Sequence, residues 1–263
     1  MNDQNIKMPE MRKFEMKNLL EKEKIVSVNH LSKIFGITYL TVRRDLEKLE
    51  EEGLIKKVHG GAMLIRGLEP EPVFLKQKEL FKDEKDRIAR EASKRINDGD
   101  FITIESGSTV LKMVKYLEDK NYIKVITSGM PILEELWKLA IRKRDIEVLS
   151  TGGVLNPKVG TFIGTNAVNF YNEINVDAAF VGAMAVSIEK GISTATFFDV
   201  EIFNAAVKNA TRSILLCDSS KFETRSFFNV APITSVNEII TDSGINKTIL
   251  KKIEKTGVNI TIV

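Results

Sequence analysis

Thr38-Tyr39-Leu40-Thr41-Val42-Arg43-Arg44-Asp45-Leu46-Glu47-Lys48-Leu49, running on through three glutamates to Gly53, is the stretch from which the fold of the front of this chain can be read. Val42, Leu46 and Leu49 recur at i, i+4 and i+7, so they share one face of a helix that Thr38 caps and Gly53 ends. At about 100° per residue the opposite face collects Leu40, Thr41, Arg43, Arg44 and Lys48. Upstream, two further helices are expected, Met11 to Lys22 and His30 to Phe35, whose Leu19, Leu31 and Ile34 should meet the apolar stripe. Helix, turn, helix is the order. Cationic and small polar side chains near a helix N-terminus, with the apolar face turned away, suit a recognition helix in a major groove.

Downstream of Gly53, Leu54-Ile55-Lys56-Lys57-Val58-His59-Gly60-Gly61 reads as a short strand ending in a Gly-Gly turn, the pattern of a β-wing. Lys56, Lys57 and His59 are placed there to reach phosphates or a minor groove, contacts that add affinity and salt dependence more than sequence choice. Glu47, Glu50, Glu51 and Glu52 would repel DNA, but they occupy the far half of the helix, which a helix entering by its N-terminus keeps out of the groove. The alternative is a solvated face on a structural three-helix cap. Net charge is only +3, yet residues 1–66 carry 13 Lys/Arg against 10 Asp/Glu, while residues 67–263 carry 26 of each. The whole excess lies in the front quarter.

Thr41-Val-Arg-Arg-Asp-Leu46 followed by Gly53-Leu-Ile-Lys-Lys-Val-His-Gly-Gly-Ala62 resembles the N-terminal motif pair of the DeoR family of bacterial transcription regulators, at the family's spacing. The resemblance implies that Arg43 and Arg44 make the main operator contacts, with Thr41 alongside and Asp45 orienting an arginine.

The boundaries expected from composition are a winged helix-turn-helix over residues 1–62, a linker over 63–81 and a larger domain over 82–263. Pro70 and Pro72 disfavour helix in the joint. A charged helix, Lys82 to Ile96, should open the larger domain. Strands are then expected at Phe101 to Ile104, Lys124 to Thr127, Glu147 to Ser150, Ala178 to Val181, Ile214 to Cys217, Ile239 to Thr241 and Asn259 to Val263. A helix to Leu117 and another through Leu139 should follow the first two. Continuous apolar runs separated by helices describe a mainly parallel open α/β sheet covered on both faces.

Small hydroxyl and glycine residues follow nearly every strand: Glu105-Ser106-Gly107-Ser108-Thr109, Thr127-Ser128-Gly129, Thr151-Gly152-Gly153, Gly182-Ala183-Met184, Asp218-Ser219-Ser220-Lys221 and Thr241-Asp242-Ser243. In a parallel sheet these ends share one edge, where open α/β folds bind ligands. Singly, such residues are ordinary caps and turn formers. Ser106 to Thr109 should open a helix whose free N–H groups and dipole cradle a phosphate, with Lys221 adding a full charge. Cys217 reads as a small apolar core residue, and Trp137 as core.

This half also resembles the DeoR effector domain, which is similar to ribose-5-phosphate isomerase and acetyl-CoA-transferase-like folds and senses phosphorylated sugars in many members. By that resemblance the effector residues are Glu105, Ser106, Gly107, Ser108, Thr109, Thr127, Ser128, Gly152, Gly153, Asp177, Asp218 and Lys221. Asp177-Ala-Ala-Phe-Val-Gly182 is among the matching segments, and Asp218-Ser-Ser-Lys-Phe222 is the most specific of them. Glu105 stands where the family has Asp, Ser128 replaces Asn, and Gly182-Ala-Met-Ala-Val lacks the usual Gly-Ile-Asp. These departures put a difference at the sugar end of the pocket and leave the phosphate end intact.

One Cys excludes an internal disulfide, and two His, His30 and His59, leave too few soft ligands for zinc. The longest apolar run, Ala178 to Ile188, has 11 residues, against the roughly 18 that suggest a membrane span. MNDQNIKMPE carries no apolar export core, so a cytoplasmic location is expected. No cofactor or metal is expected. The expected function is a DNA-binding regulator, a repressor of a carbohydrate-utilisation operon, released by a phosphorylated sugar and acting as a homodimer or homotetramer on double-stranded operator DNA. The competing class is a sugar-phosphate isomerase or transferase, for which Asp177, Asp218, Glu105 and Lys221 are the nominal catalytic groups.

Overall fold

The computed structural model describes residues 12, 13, 15, 16, 19, 20, 23, 25–51, 55–58, 60–64, 77, 78, 80–157 and 159–263. The chain falls into two compact units, Met1–Glu71 and Pro72–Val263. Most of the expected linker and His59 lie outside the described residues, as do the side chain of Lys56 and residue Leu54.

In the first unit residues 12, 13, 15, 16, 19, 20 and 23 are helical. There follow β1 (Ile25–Ser27), α1 (Val28–Phe35), α2 (Tyr39–Glu51), β2 (Ile55–Val58) and β3 (Gly61–Leu64). The Ser27 hydroxyl accepts the His30 N–H at 3.1 Å, which starts α1 two residues before the expected His30. Gly36 ends it in the left-handed region at φ 61°. Thr38 caps α2 as read from the sequence, its hydroxyl accepting the Thr41 N–H at 3.3 Å. The three strands form an antiparallel sheet in the order β1-β3-β2, of which β1 was not foreseen. At Gly61 a Cβ would lie 2.2 Å from the Val26 carbonyl oxygen, so only glycine lets β3 approach β1 this closely. Val42, Leu46 and Leu49 pack with Met16, Leu20 and Leu31. Ile34 is a correction: it is 48% exposed, and Phe35 and Ile37 pack against the core instead.

The second unit is built on a seven-stranded, wholly parallel sheet in the order β15-β14-β12-β9-β4-β5-β6. Its strands are β4 (Phe101–Ile104), β5 (Lys124–Thr127), β6 (Glu147–Ser150), β9 (Val176–Gly182), β12 (Ala210–Leu216), β14 (Glu238–Thr241) and β15 (Asn259–Ile262). Ile102, Ile104, Val125, Phe180, Ile214 and Leu216 face a cluster shared with α3 (Lys82–Ser93) and α5 (Met130–Arg142). Their alternates join two other clusters, Val181, Leu215 and Ile239 in one, and Ile126 with α6 (Thr165–Asn172) and α7 (Phe197–Lys208) in the other. Both faces are covered, which explains why these strands read as unbroken apolar runs.

Two smaller sheets were missed. β7 (Val154–Asn156) and β8 (Thr161–Ile163) form a hairpin, and β10 (Ala185–Ser187), β11 (Gly191–Thr194) and β13 (Phe228–Ala231) form an antiparallel sheet in the order β10-β11-β13. The apolar run Ala178 to Ile188 therefore divides between β9 and β10. The helix expected after β4 is reduced to one turn, α4 (Ser108–Leu111), followed by a 3-10 turn at Val114–Leu117. The remaining helix is α8 (Lys247–Glu254). No helix among the described residues is long and apolar enough to cross a membrane.

Candidate nucleic-acid interface and candidate effector site

On α2 the buried face consists of Val42, Asp45, Leu46 and Leu49. Arg43, Arg44 and Lys48 are exposed on the opposite side, with Leu40 at 64% and Thr38 at the helix entrance; Thr41 is half-buried. An exposed leucine next to two guanidinium groups offers an apolar contact and two hydrogen-bond donor forks on one face. Asp45 does hold an arginine, but the partner is Arg12 of the first helix: Nε donates to Oδ2 at 2.6 Å and Nη2 to Oδ1 at 3.2 Å. Arg43 and Arg44 are thus left to solvent.

The acids of α2 also have work other than repelling a duplex. Glu50 accepts the backbone N–H of Lys57 at 2.8 Å, and the Lys57 ammonium lies 3.3 Å from Glu50 and 3.4 Å from Glu47. Lys57 therefore clamps β2 to α2, whereas the sequence placed it at phosphates. Such exposed pairs contribute about 0–1 kcal/mol and can be exchanged for a phosphate contact.

In the second unit the loops after β4, β9 and β12, and not those after β5, β6 and β14, reach a cavity of about 120 Å³ at the carboxyl edge of the sheet. Of the expected effector residues, Glu105, Ser106, Gly107, Ser108, Thr109 and Lys221 line it. The helix dipole expected here is a correction, since α4 has only four residues. What remains are the N–H groups of its first turn, which have no partner within a helix.

Lys221 is half-buried in the wall, and its ammonium donates to Gln77 Oε1 at 2.7 Å. Burial lowers its pKa, with the Asp218 charge acting in the other direction. Asp218 is fully buried off the cavity wall, accepting from the Ser220 N–H at 3.2 Å and from the Ser220 hydroxyl, with Oδ2 unpaired. It is a counter-charge beneath Lys221 and not a ligand contact.

Glu105 lies under the loop it opens. Its carboxylate accepts from the Ser128 hydroxyl at 2.6 Å, from the Tyr171 hydroxyl, and from the N–H groups of Ser106 and Ser128 at 3.3 and 3.4 Å. Burial raises its pKa despite these donors. Ser128 is thus spent on Glu105, and the buried Thr127 hydroxyl accepts the Gly129 N–H at 2.9 Å; neither residue lines the cavity. Gly152 and Gly153 are exposed in the turn into β7, away from it. Asp177 is a plain correction: it stands at the amino end of β9, on the opposite edge of the sheet, and accepts the Phe101 N–H at 2.8 Å.

Several cavity residues escaped the sequence reading. Gln77, Thr161, Ser193, Thr194 and Asp199 all line the wall. Behind it, Lys85 is fully buried and its ammonium donates to the Gln77 carbonyl oxygen. Burial lowers the Lys85 pKa to about 8, with Asp218 opposing and Lys221 and Lys112 assisting. Lys85 was legible: it lies three residues before Ile88 and seven before Ala92, on the apolar stripe of α3 where a solvated lysine does not belong. Cys217 is buried and its thiol pKa is pushed up by burial, as befits an inert core residue, whereas Trp137, expected in the core, is 60% exposed on α5.

Residues 12–67 match the family model for the DeoR-like helix-turn-helix domain, and residues 81–243 that for the DeoR C terminal sensor domain. The HTH-type transcriptional regulator YulB of Bacillus subtilis (strain 168) is similar, 34% identical over 90% of this chain and 90% of its own. GolR of Listeria innocua, an HTH-type transcriptional regulator, is 30% identical over 97% of this chain and 98% of its own. The transcriptional repressor AccR of Agrobacterium fabrum is 30% identical over 93% and 95%. Among solved structures, ribose 5-phosphate isomerase A of Neisseria gonorrhoeae is similar at 18% identity and a TM-score of 0.39, covering 57% of this chain and 55% of that one. Matched by both domain models and by regulators along nearly its whole length, the chain belongs to the DeoR family of DNA-binding transcriptional regulators.

Proposed function

We propose that this regulator is a repressor of a carbohydrate-utilisation operon and that a phosphorylated sugar, bound in the second unit, releases it from its operator. The observation that carries the reading is Lys221, a half-buried cation in the cavity wall beside the Ser106–Thr109 loop, held only by the neutral amide oxygen of Gln77 among the described residues. A cation kept out of water without a carboxylate in contact suits a ligand that brings the anion. The repressor reading is supported by AccR, a transcriptional repressor similar over most of the chain.

On the DNA side, Arg43 and Arg44 supply base-edge contacts, with Thr38, Leu40 and Thr41 near the helix entrance and Lys48 on the same face. Lys56, Lys57 and His59 belong to the wing that meets the backbone. One small head makes few contacts, so a homodimer or homotetramer on repeated half-sites in the cytoplasm completes the proposal. Ligand and operator then oppose each other through a coupling of roughly 1–3 kcal/mol. Genomic fragments captured by the full-length protein, followed by release with a panel of sugar phosphates, test it. Turnover of those sugar phosphates without specific DNA capture would replace the regulator by an enzyme.

A further inference from the structure

The cavity wall holds two polar groups that an anion grip does not need. Asp199, in the first turn of α7, accepts the Thr194 hydroxyl on Oδ2 at 3.2 Å. The Thr196 hydroxyl also meets the carboxylate, which has no cation in contact among the described residues. Burial raises its pKa above the ordinary aspartate value. Thr161, on β8, is 1% exposed and its Oγ1 has no hydrogen-bond partner. Its backbone is fixed by a bridge to Gly129, with the Phe162 N–H donating to the Ser128 carbonyl at 2.7 Å. Both residues line the same cavity as Lys221 and Ser106.

Each is costly where it stands. A buried hydroxyl left unpaired costs about 1–3 kcal/mol, and a carboxylate repels the anion that Lys221 attracts. Ser193 in the same wall has no such spare capacity, because its hydroxyl donates to the Ala185 carbonyl at 3.4 Å and accepts the Ser226 N–H at 3.0 Å. An ionised carboxylate only accepts hydrogen bonds, while a threonine hydroxyl donates and accepts. That pair is matched by neutral hydroxyl groups and by no second anion.

We propose that Asp199 and Thr161 form a hydroxyl-reading subsite, which selects the polyol part of a monophosphorylated ligand and turns away ligands carrying a second anion at that end. The inference rests on the phosphate-sensing reading above and assigns its specificity. Ile192, Phe203 and Val230 in the wall cover the carbon skeleton between the polar groups.

Calorimetry of the full-length protein with inorganic phosphate, and with sugar monophosphates and bisphosphates of three to six carbons, tests this. Asp199→Asn should lower the affinity for the best-bound monophosphate roughly 10- to 100-fold, the range of a hydrogen bond to a charged group. It should leave inorganic phosphate within about twofold and improve bisphosphate binding. Thr161→Val, which keeps the volume, should also lower monophosphate affinity, and it remains a fair test if the Asp199 variant unfolds. Unchanged monophosphate affinity in both folded variants, with Lys221→Ala still weakening phosphate, overturns the subsite alone. Wild-type protein that binds neither phosphate nor any sugar phosphate overturns the sensor reading and the subsite with it.

Discussion

Asp45 on the recognition helix and Arg12 on the first helix form a buried, two-point ion pair, with Nε to Oδ2 at 2.6 Å and Nη2 to Oδ1 at 3.2 Å. Only about 6–7% of either side chain is exposed. The residue that the sequence places beside two operator-reading arginines is therefore an anchor. It ties α2 to the first helix and takes no part in holding Arg43 or Arg44.

Removing one partner of a buried ion pair is strongly destabilising, at a cost of about 3–5 kcal/mol. Asp45→Ala should accordingly lower the stability of the first unit by that order and abolish operator binding through unfolding. Thermal or urea melts followed by circular dichroism check it. A variant that melts like wild type yet fails to bind would assign Asp45 to the interface instead.

Arg44→Ala should act differently. The side chain is exposed and has no partner among the described residues, so stability should change by less than about 0.5 kcal/mol. Operator affinity should fall by roughly 1–3 kcal/mol if the guanidinium reads a base edge. Gel-shift titrations at two salt concentrations separate base reading from a phosphate contact, because losing a phosphate contact reduces the salt slope by about 1.

In the sensor unit, Lys221→Ala should leave operator affinity intact while weakening inorganic phosphate and sugar-phosphate binding at least tenfold. Gln77→Ala should shift phosphate affinity the other way, since the amide oxygen 2.7 Å from the Lys221 ammonium occupies the position a phosphate oxygen would take. Calorimetry on both variants reads the two signs directly.

Lys85 makes the sensor unit sensitive to alkaline pH. Its folded pKa of about 8 lies below the ordinary 10.5, so between those values the unfolded chain binds more protons than the folded one. Stability should rise with pH across that window and be lowest below it, by roughly 3 kcal/mol for this one group. Urea melts of wild type and Lys85→Met between pH 7 and about pH 10.5 should show the rise in the former and a flatter profile in the latter.

How much of this was legible followed from the kind of order involved. All seven strands of the parallel sheet were readable, most plainly the inner ones, because burial on both faces forces runs such as Ala178 to Val181 and Ile214 to Leu216 to be apolar without interruption. β7 and β8 were not, since strands of three residues with mixed exposure leave no period to detect, and β10, buried throughout, merges in the sequence with the apolar run that begins in β9. Thr38, Ser106 and Lys221 could be named because their roles depend on local capping and loop chemistry. Asp199, Thr161 and Gln77 could not, because only the docking of β8, α7 and the segment before α3 onto the sheet edge brings them into one wall. Asp177 was misplaced for the converse reason: motif likeness does not say which end of a strand a residue occupies.

Under the proposed function one chain carries two anion grips that oppose each other. This opposition is tested most directly by fluorescence anisotropy of a captured operator fragment bound to the full-length protein, titrated with the sugar monophosphate that calorimetry shows to bind. Wild-type protein should release the DNA at ligand concentrations near the measured dissociation constant, and Lys221→Ala should retain it. Ligand that saturates the wild-type protein while operator affinity stays unchanged would contradict it.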